Sequence, residues 1–167
     1  MKRFSKPALA LMLAAVLFIC SLVGCGKKAE NAPATDGKKT YKIGICNYVD
    51  DASLNQIVAS VKTRLGTLAA ENNVTFDISL DNCNADANLL SQIISNFEAD
   101  RVDLMVAVAT PVAMAMQSAT EESGTPVVFA AVSDPVSVGL VNSLQAPGAN
   151  ITGTSDFLNT DAVMQLI

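Results

Sequence analysis

Two short stretches of the chain, DLMVAVA (103–109) and VVFAAV (127–132), are apolar at nearly every position rather than at alternate ones. A strand with one wet face alternates, so runs like these predict strands covered on both faces, as in a parallel sheet between helices. YKIGIC (41–46), VTFDISL (74–80) and NITGTS (150–155) supply three more short runs, separated by longer amphipathic stretches. Leu54, Ile57, Val58, Val61, Leu65 and Leu68 fall on one stripe of a helix predicted over 53–70. Leu89, Leu90, Ile93, Ile94 and Phe97 do the same on a helix over 87–97, and further helices are expected over 111–121 and, briefly, near 136–144. The pattern reads as a doubly wound α/β lobe with about five parallel strands flanked by helices.

Open α/β sheets bind ligands outside the carboxyl ends of their strands, which directs attention to the residues just after each run. The third and fourth runs end on Thr110-Pro111 and on Ser133-Asp134-Pro135. Both steps suit a helix start: Thr110 or Asp134 can cap unpaired N–H groups, and proline fits the first helical position. Both also suit an anion site, because helix N-termini at this edge attract negative charge. Asn47, Tyr48, Asp50 and Asp51 come after the first run, Asp81, Asn82, Asn84 and Asp86 after the second, and Ser155 and Asp156 after the fifth. Asp86 is read as the cap of its helix. A sheet edge this rich in Asn, Asp, Ser and Thr suits a small zwitterion better than a greasy ligand. Tyr48 and Phe157 are the aromatics of these loops, placed either to stack on a ligand ring or to pack locally.

The amino-terminal segment sets the compartment. Lys2, Arg3 and Lys6 precede an almost uncharged apolar run from Ala8 to Val23, too short for a comfortable membrane span and ending on Gly24-Cys25. This is an export signal over residues 1–24, and Leu-Val-Gly-Cys resembles a bacterial lipobox in which Cys25 becomes the lipidated first residue. The expected location is the extracytoplasmic face of the cell membrane, with acyl chains on Cys25 as the tether. Residues 25–40, polar with Pro and Gly, read as a flexible spacer, and the lobe is expected over 41–157.

Composition then excludes several functions. Cleavage at Cys25 leaves eight of the 11 Lys and Arg residues against all 16 Asp and Glu, and five of those eight cations lie between Lys27 and Lys42. An acidic lobe poor in cations is the opposite of what phosphate-backbone binding needs, so nucleic acid is not an expected partner. The chain contains no His, and only Cys46 and Cys83 remain as cysteines in the folded part, so a His-based triad and a four-ligand zinc site are both out of reach. Cys46 and Cys83 close the first two runs and stand either as a disulfide or as separate thiols. Neither G-x-G-x-x-G nor a P-loop comes after the first run, so a flavodoxin-like or Rossmann-like enzyme loses its main support. No cofactor and no metal are expected.

In order and spacing, VDLMVAVATPVAMAM, TPVVFAAVSDPVSVGLVNSL and PGANITGTSDF resemble the substrate-binding lipoproteins of bacterial ABC importers in the family linked to tryptophan and tyrosine uptake. The resemblance covers residues 41–167. It implies the type I periplasmic-binding fold, a two-lobed clamshell that closes on an aromatic amino acid and delivers it to an ABC permease. It also implies that Thr110, Pro111, Ser133 and Asp134 hold the ligand's charged groups, that Ser155 and Asp156 lie near the hinge, and that Asn47 and Tyr48 line the side-chain pocket. The His-Pro pair common after the first strand in that family is replaced here by Tyr48-Val49-Asp50-Asp51-Ala52. Residues 158–167 are expected to begin a crossover helix into a second lobe that this sequence lacks, leaving weak binding and an exposed tail at Val163, Leu166 and Ile167. A surface lipoprotein with a structural or adhesive role and no ligand is the alternative.

Overall fold

A computed structural model describes residues 37–165. The expected export signal and lipidated Cys25, most of the expected spacer and the last two residues therefore lie outside the described residues. Five strands, β1 (Lys39–Asn47), β2 (Val74–Asn82), β3 (Leu104–Val108), β4 (Val127–Val132) and β5 (Ile151–Ser155), form one sheet in the order β2-β1-β3-β4-β5. Every pairing is parallel. The doubly apolar runs are the reason: Met105, Val106, Ala107 and Val108 are all buried, which only a sheet covered on both faces permits. β1 starts at Lys39, two residues before the expected Tyr41, because Lys39 and Thr40 continue the ladder opposite Val74 and Thr75.

Helix α1 (Ala52–Asn72) covers one face and α2 (Ala87–Ala99) and α3 (Thr110–Thr120) the other. Asp51 and Asp86 begin α1 and α2 by accepting N–H groups from Ser53 and Leu54, and from Asn88 and Leu89, at 2.8–3.2 Å. Asn73 ends α1 in the left-handed region at φ 53, where Asn is tolerated. The α2 stripe is buried at Leu90, Ile93, Ile94 and Phe97, whereas the α1 stripe is buried only at Val58 and half-buried at Leu54, Ile57, Val61 and Leu65. Gly44 lets Phe97 lie against β1, since a Cβ there would come within 2.6 Å of the ring.

The expected helix at 136–144 is absent. One turn winds from Asp134, with Val138 N–H on the Asp134 carbonyl at 3.3 Å, and Gly139 at φ 74 then closes it. Gly139 N–H goes back to Val136 O at 3.0 Å and Leu140 N–H to Pro135 O at 2.9 Å, the bonding that terminates helices at a left-handed glycine. The segment still does a helix's packing, because Leu140 and Val141 are buried in the α2–α3 core. Asn150 anchors its far end by donating to Thr125 O at 2.7 Å and to the fully buried Thr120 Oγ1 at 2.9 Å.

A polar edge where four strands end

The strand order reverses between β1 and β3, since β1 leads to β2 on one side while β3 lies on the other. That switch point, at the carboxyl ends, is where open sheets leave a crevice. Asn47 closes β1 opposite Val108 of β3, Ala109 N–H donates to Ala130 O of β4 at 2.9 Å, and Ser155 Oγ donates to Ser133 O at 2.8 Å. Asn47-Tyr48, Thr110-Pro111, Ser133-Asp134 and Ser155-Asp156 thus stand side by side along one edge, in the order β1, β3, β4, β5. All the residues predicted for ligand contact are brought to this edge.

Thr110 does not cap α3. Ala109 is the cap, without a side-chain bond, and Thr110 is the first helical residue with Pro111 next. The Ala109 backbone, at φ 86 and ψ 156, takes a conformation normally left to glycine, and Ala131 on β4 is also left-handed at φ 56. Alanine held in such a conformation costs about 1–3 kcal/mol, the kind of strain that collects at binding sites. Its local effect is to turn the half-buried Thr110 and the first N–H groups of α3 out at the sheet edge. The first of these to meet an intrahelical acceptor is Ala113 N–H, on Ala109 O at 3.1 Å.

Asp134 does not start a helix either. Its Oδ1 accepts from Ser137 N–H at 3.0 Å, and that bond, then the Ser137 hydroxyl, holds the carboxyl below its ordinary range. Ser133, Asp134, Ser155 and Asp156 are exposed, while Pro135 is buried beneath them. Tyr48 is half-buried and packs against the α2–α3 core; Phe157 is exposed.

Nothing in the sequence marks Asn55. Its Oδ1 accepts from Asn47 Nδ2 at 2.9 Å and its own amide donates to Asp50 Oδ1 at 2.6 Å, a chain that stiffens the β1 loop. Asn47 also donates to Val49 O at 3.1 Å, but its Oδ1 is buried without a partner among the described residues. A groove of about 670 Å³ opens beside Asn47, between α1 and β2, walled by Asn55, Val58, Lys62, Leu80 and Asn82 among others. Thr110, Ser133, Asp134 and Ser155 lie outside it; of the residues expected at the carboxyl edge it takes Asn47 and, from the end of β2, Asp81 and Asn82. The edge is the better candidate, because it gathers the strained backbone, a helix N-terminus and the polar side chains. Among the described residues no group of three or more Cys, Asp or Glu is placed to hold a metal, and no helix is long and apolar enough to cross a membrane.

Residues 42–167 match the family described as ABC transporter substrate binding protein. The chain belongs to that family. A tyrosine-binding protein of Clostridioides difficile strain R20291 is 36% identical over 168 residues, which is 98% of this chain and 48% of the relative. The chain therefore spans about half the length of that relative. A Streptococcus pneumonia ABC domain in complex with L-Trp is 32% identical with a TM-score of 0.62, over 71% of this chain and 39% of that one. A ligand-free, open substrate-binding protein with adhesive properties from Clostridium difficile is 35% identical with a TM-score of 0.63, over 75% and 42% of the two chains. These family members are substrate-binding proteins rather than enzymes, and the parallel five-stranded lobe of this chain shares the fold of the matched part of the two solved structures.

Proposed function

We propose that the chain contributes one wall of the ligand cleft of an extracytoplasmic substrate-binding protein that captures an aromatic amino acid for an ABC permease. The observation that carries this reading is the meeting of four strand ends at one edge, with the first turn of α3 turned outward at Ala109. The α-carboxylate of a zwitterion sits at the start of α3 beside the Thr110 hydroxyl, where the N–H groups and helix dipole favour negative charge. Its ammonium group faces the Asp134 carboxylate and the Ser133 hydroxyl. The ring lies toward Asn47 and Tyr48. Ser155 and Asp156 join the lobe to the next segment, as the hinge.

Relatives named for binding tyrosine and found with L-Trp support the aromatic class. Those relatives carry about as much chain again, and the second wall of such a cleft is expected from a matching second lobe, since enclosure on both sides is what holds a small ligand. A lipid on Cys25 holds the protein at the membrane surface. An adhesive role is the second reading, favoured by the 35%-identical relative described as having adhesive properties. A thermal-shift comparison of aromatic, aliphatic and charged amino acids on a form carrying both lobes separates the two: stabilisation by Tyr, Trp or Phe alone supports capture, and indifference to all of them supports adhesion.

A further inference from the structure

Cys46 and Cys83 are both fully buried, in the same apolar cluster between the sheet and α2. In the parallel ladder Cys46 lies opposite Asp81, and the ladder runs on through Cys83 N–H to Asn47 O at 3.0 Å. Cys83 is thus two residues beyond the position facing Cys46, and the two-residue period of a strand puts both side chains on one face. Both thiols turn to the same short piece of backbone. Cys46 Sγ is 3.6 Å from Asn47 O and Cys83 Sγ donates to Tyr48 O at 3.2 Å. Burial first, and then contact with the Cys83 thiol, push Cys46 up to about 12, so it rests as a protonated neighbour of Cys83.

We propose that Cys46 and Cys83 form a reversible disulfide that staples the end of β1 to the loop after β2. The oxidant is another disulfide, from a small molecule or an oxidoreductase. Cys83 loses its proton and attacks one sulfur of the incoming R–S–S–R, giving a mixed disulfide and releasing one R–SH. Cys46 then gives up its proton and attacks Cys83 Sγ, and the second R–SH leaves. Two protein thiols become one S–S bond while one R–S–S–R becomes two R–SH. Burial makes this slow in the folded lobe and fast while β2, an edge strand with Leu80 44% exposed, is still unpaired. The bond covalently reinforces a junction already zipped by Ala85 N–H on Tyr48 O at 2.8 Å, and its formation does not depend on any ligand.

The reduced protein is incubated with oxidised glutathione twice, once folded and once while refolding from urea, then unfolded in N-ethylmaleimide and mapped by peptide mass. The expected result is a linked peptide pair about 2 Da lighter than its two free thiol peptides, with neither Cys46 nor Cys83 alkylated. The oxidised form should melt several degrees above the reduced one, a gain absent from Cys83→Ala. Alkylation of both cysteines after both treatments, or separate adducts on each, overturns the proposal.

Discussion

The Ser155 hydroxyl donates to the Ser133 carbonyl at 2.8 Å and accepts from Phe157 N–H at 3.1 Å. One exposed side chain therefore fixes where β4 ends and how the chain leaves β5. Ser155→Ala should cost about 0.5–1 kcal/mol in urea unfolding, the lower range for a solvent-exposed bond. The more specific sign is local: amide exchange at Phe157 should quicken while exchange in β1 and β3 stays unchanged.

Gly44 and Phe97 meet across the sheet–α2 interface with no room for another atom. A Cβ at Gly44 would come within 2.6–2.9 Å of three Phe97 ring atoms, and the ring is 2% exposed and cannot swing away. Gly44→Ala should destabilise the lobe by about 1–3 kcal/mol. Combining it with Phe97→Leu should cost less than the sum of the two single changes, because the smaller side chain removes the clash. Strict additivity would mean that the contact is not what Gly44 protects.

Asp134 is held below its ordinary value of 3.8 by the Ser137 N–H and hydroxyl. A carboxylate with a depressed folded pKa contributes stability that is present above 3.8 and lost as pH falls through the folded value. Its exposure keeps the effect small, so the turn itself is the better reporter. The Ser137 amide resonance should titrate with a midpoint below 3.8, and in Asp134→Asn that titration should vanish. A midpoint at or above 3.8 would show that the turn does not hold the charge.

The sheet was legible because its central runs are apolar at successive positions, a pattern that few other arrangements bury. Asp86 was legible as a cap, since its side chain acts within three residues of itself. The helix expected at 136–144 fails for an equally local reason: Asp134-Pro135 begins a helical turn, but Gly139 closes it one turn later. Ala109 and Ala131 carry no mark of their positive φ in the sequence, where a glycine or asparagine would have flagged it. Asn55 reads as a surface position of α1, and its role exists only because β1 delivers Asn47 beside it. Of the candidate site, the strand-end residues could be read ahead of the fold, and the backbone strain and the Asn47–Asn55 link could not.

If the chain takes an aromatic amino acid as proposed, the strand-end edge receives it and the groove along α1 does not. Amide chemical-shift mapping of the chain titrated with L-Trp distinguishes the two places even if binding is weak, since fast exchange still moves the resonances of contacted groups. Shifts should concentrate at Asn47–Tyr48, Thr110–Val112 and Ser133–Asp134, and should be lost in Thr110→Val. Shifts confined to Asn55–Thr63 and Leu80–Asn82, or no shift at millimolar L-Trp, would refute a ligand site at the ends of β1, β3 and β4.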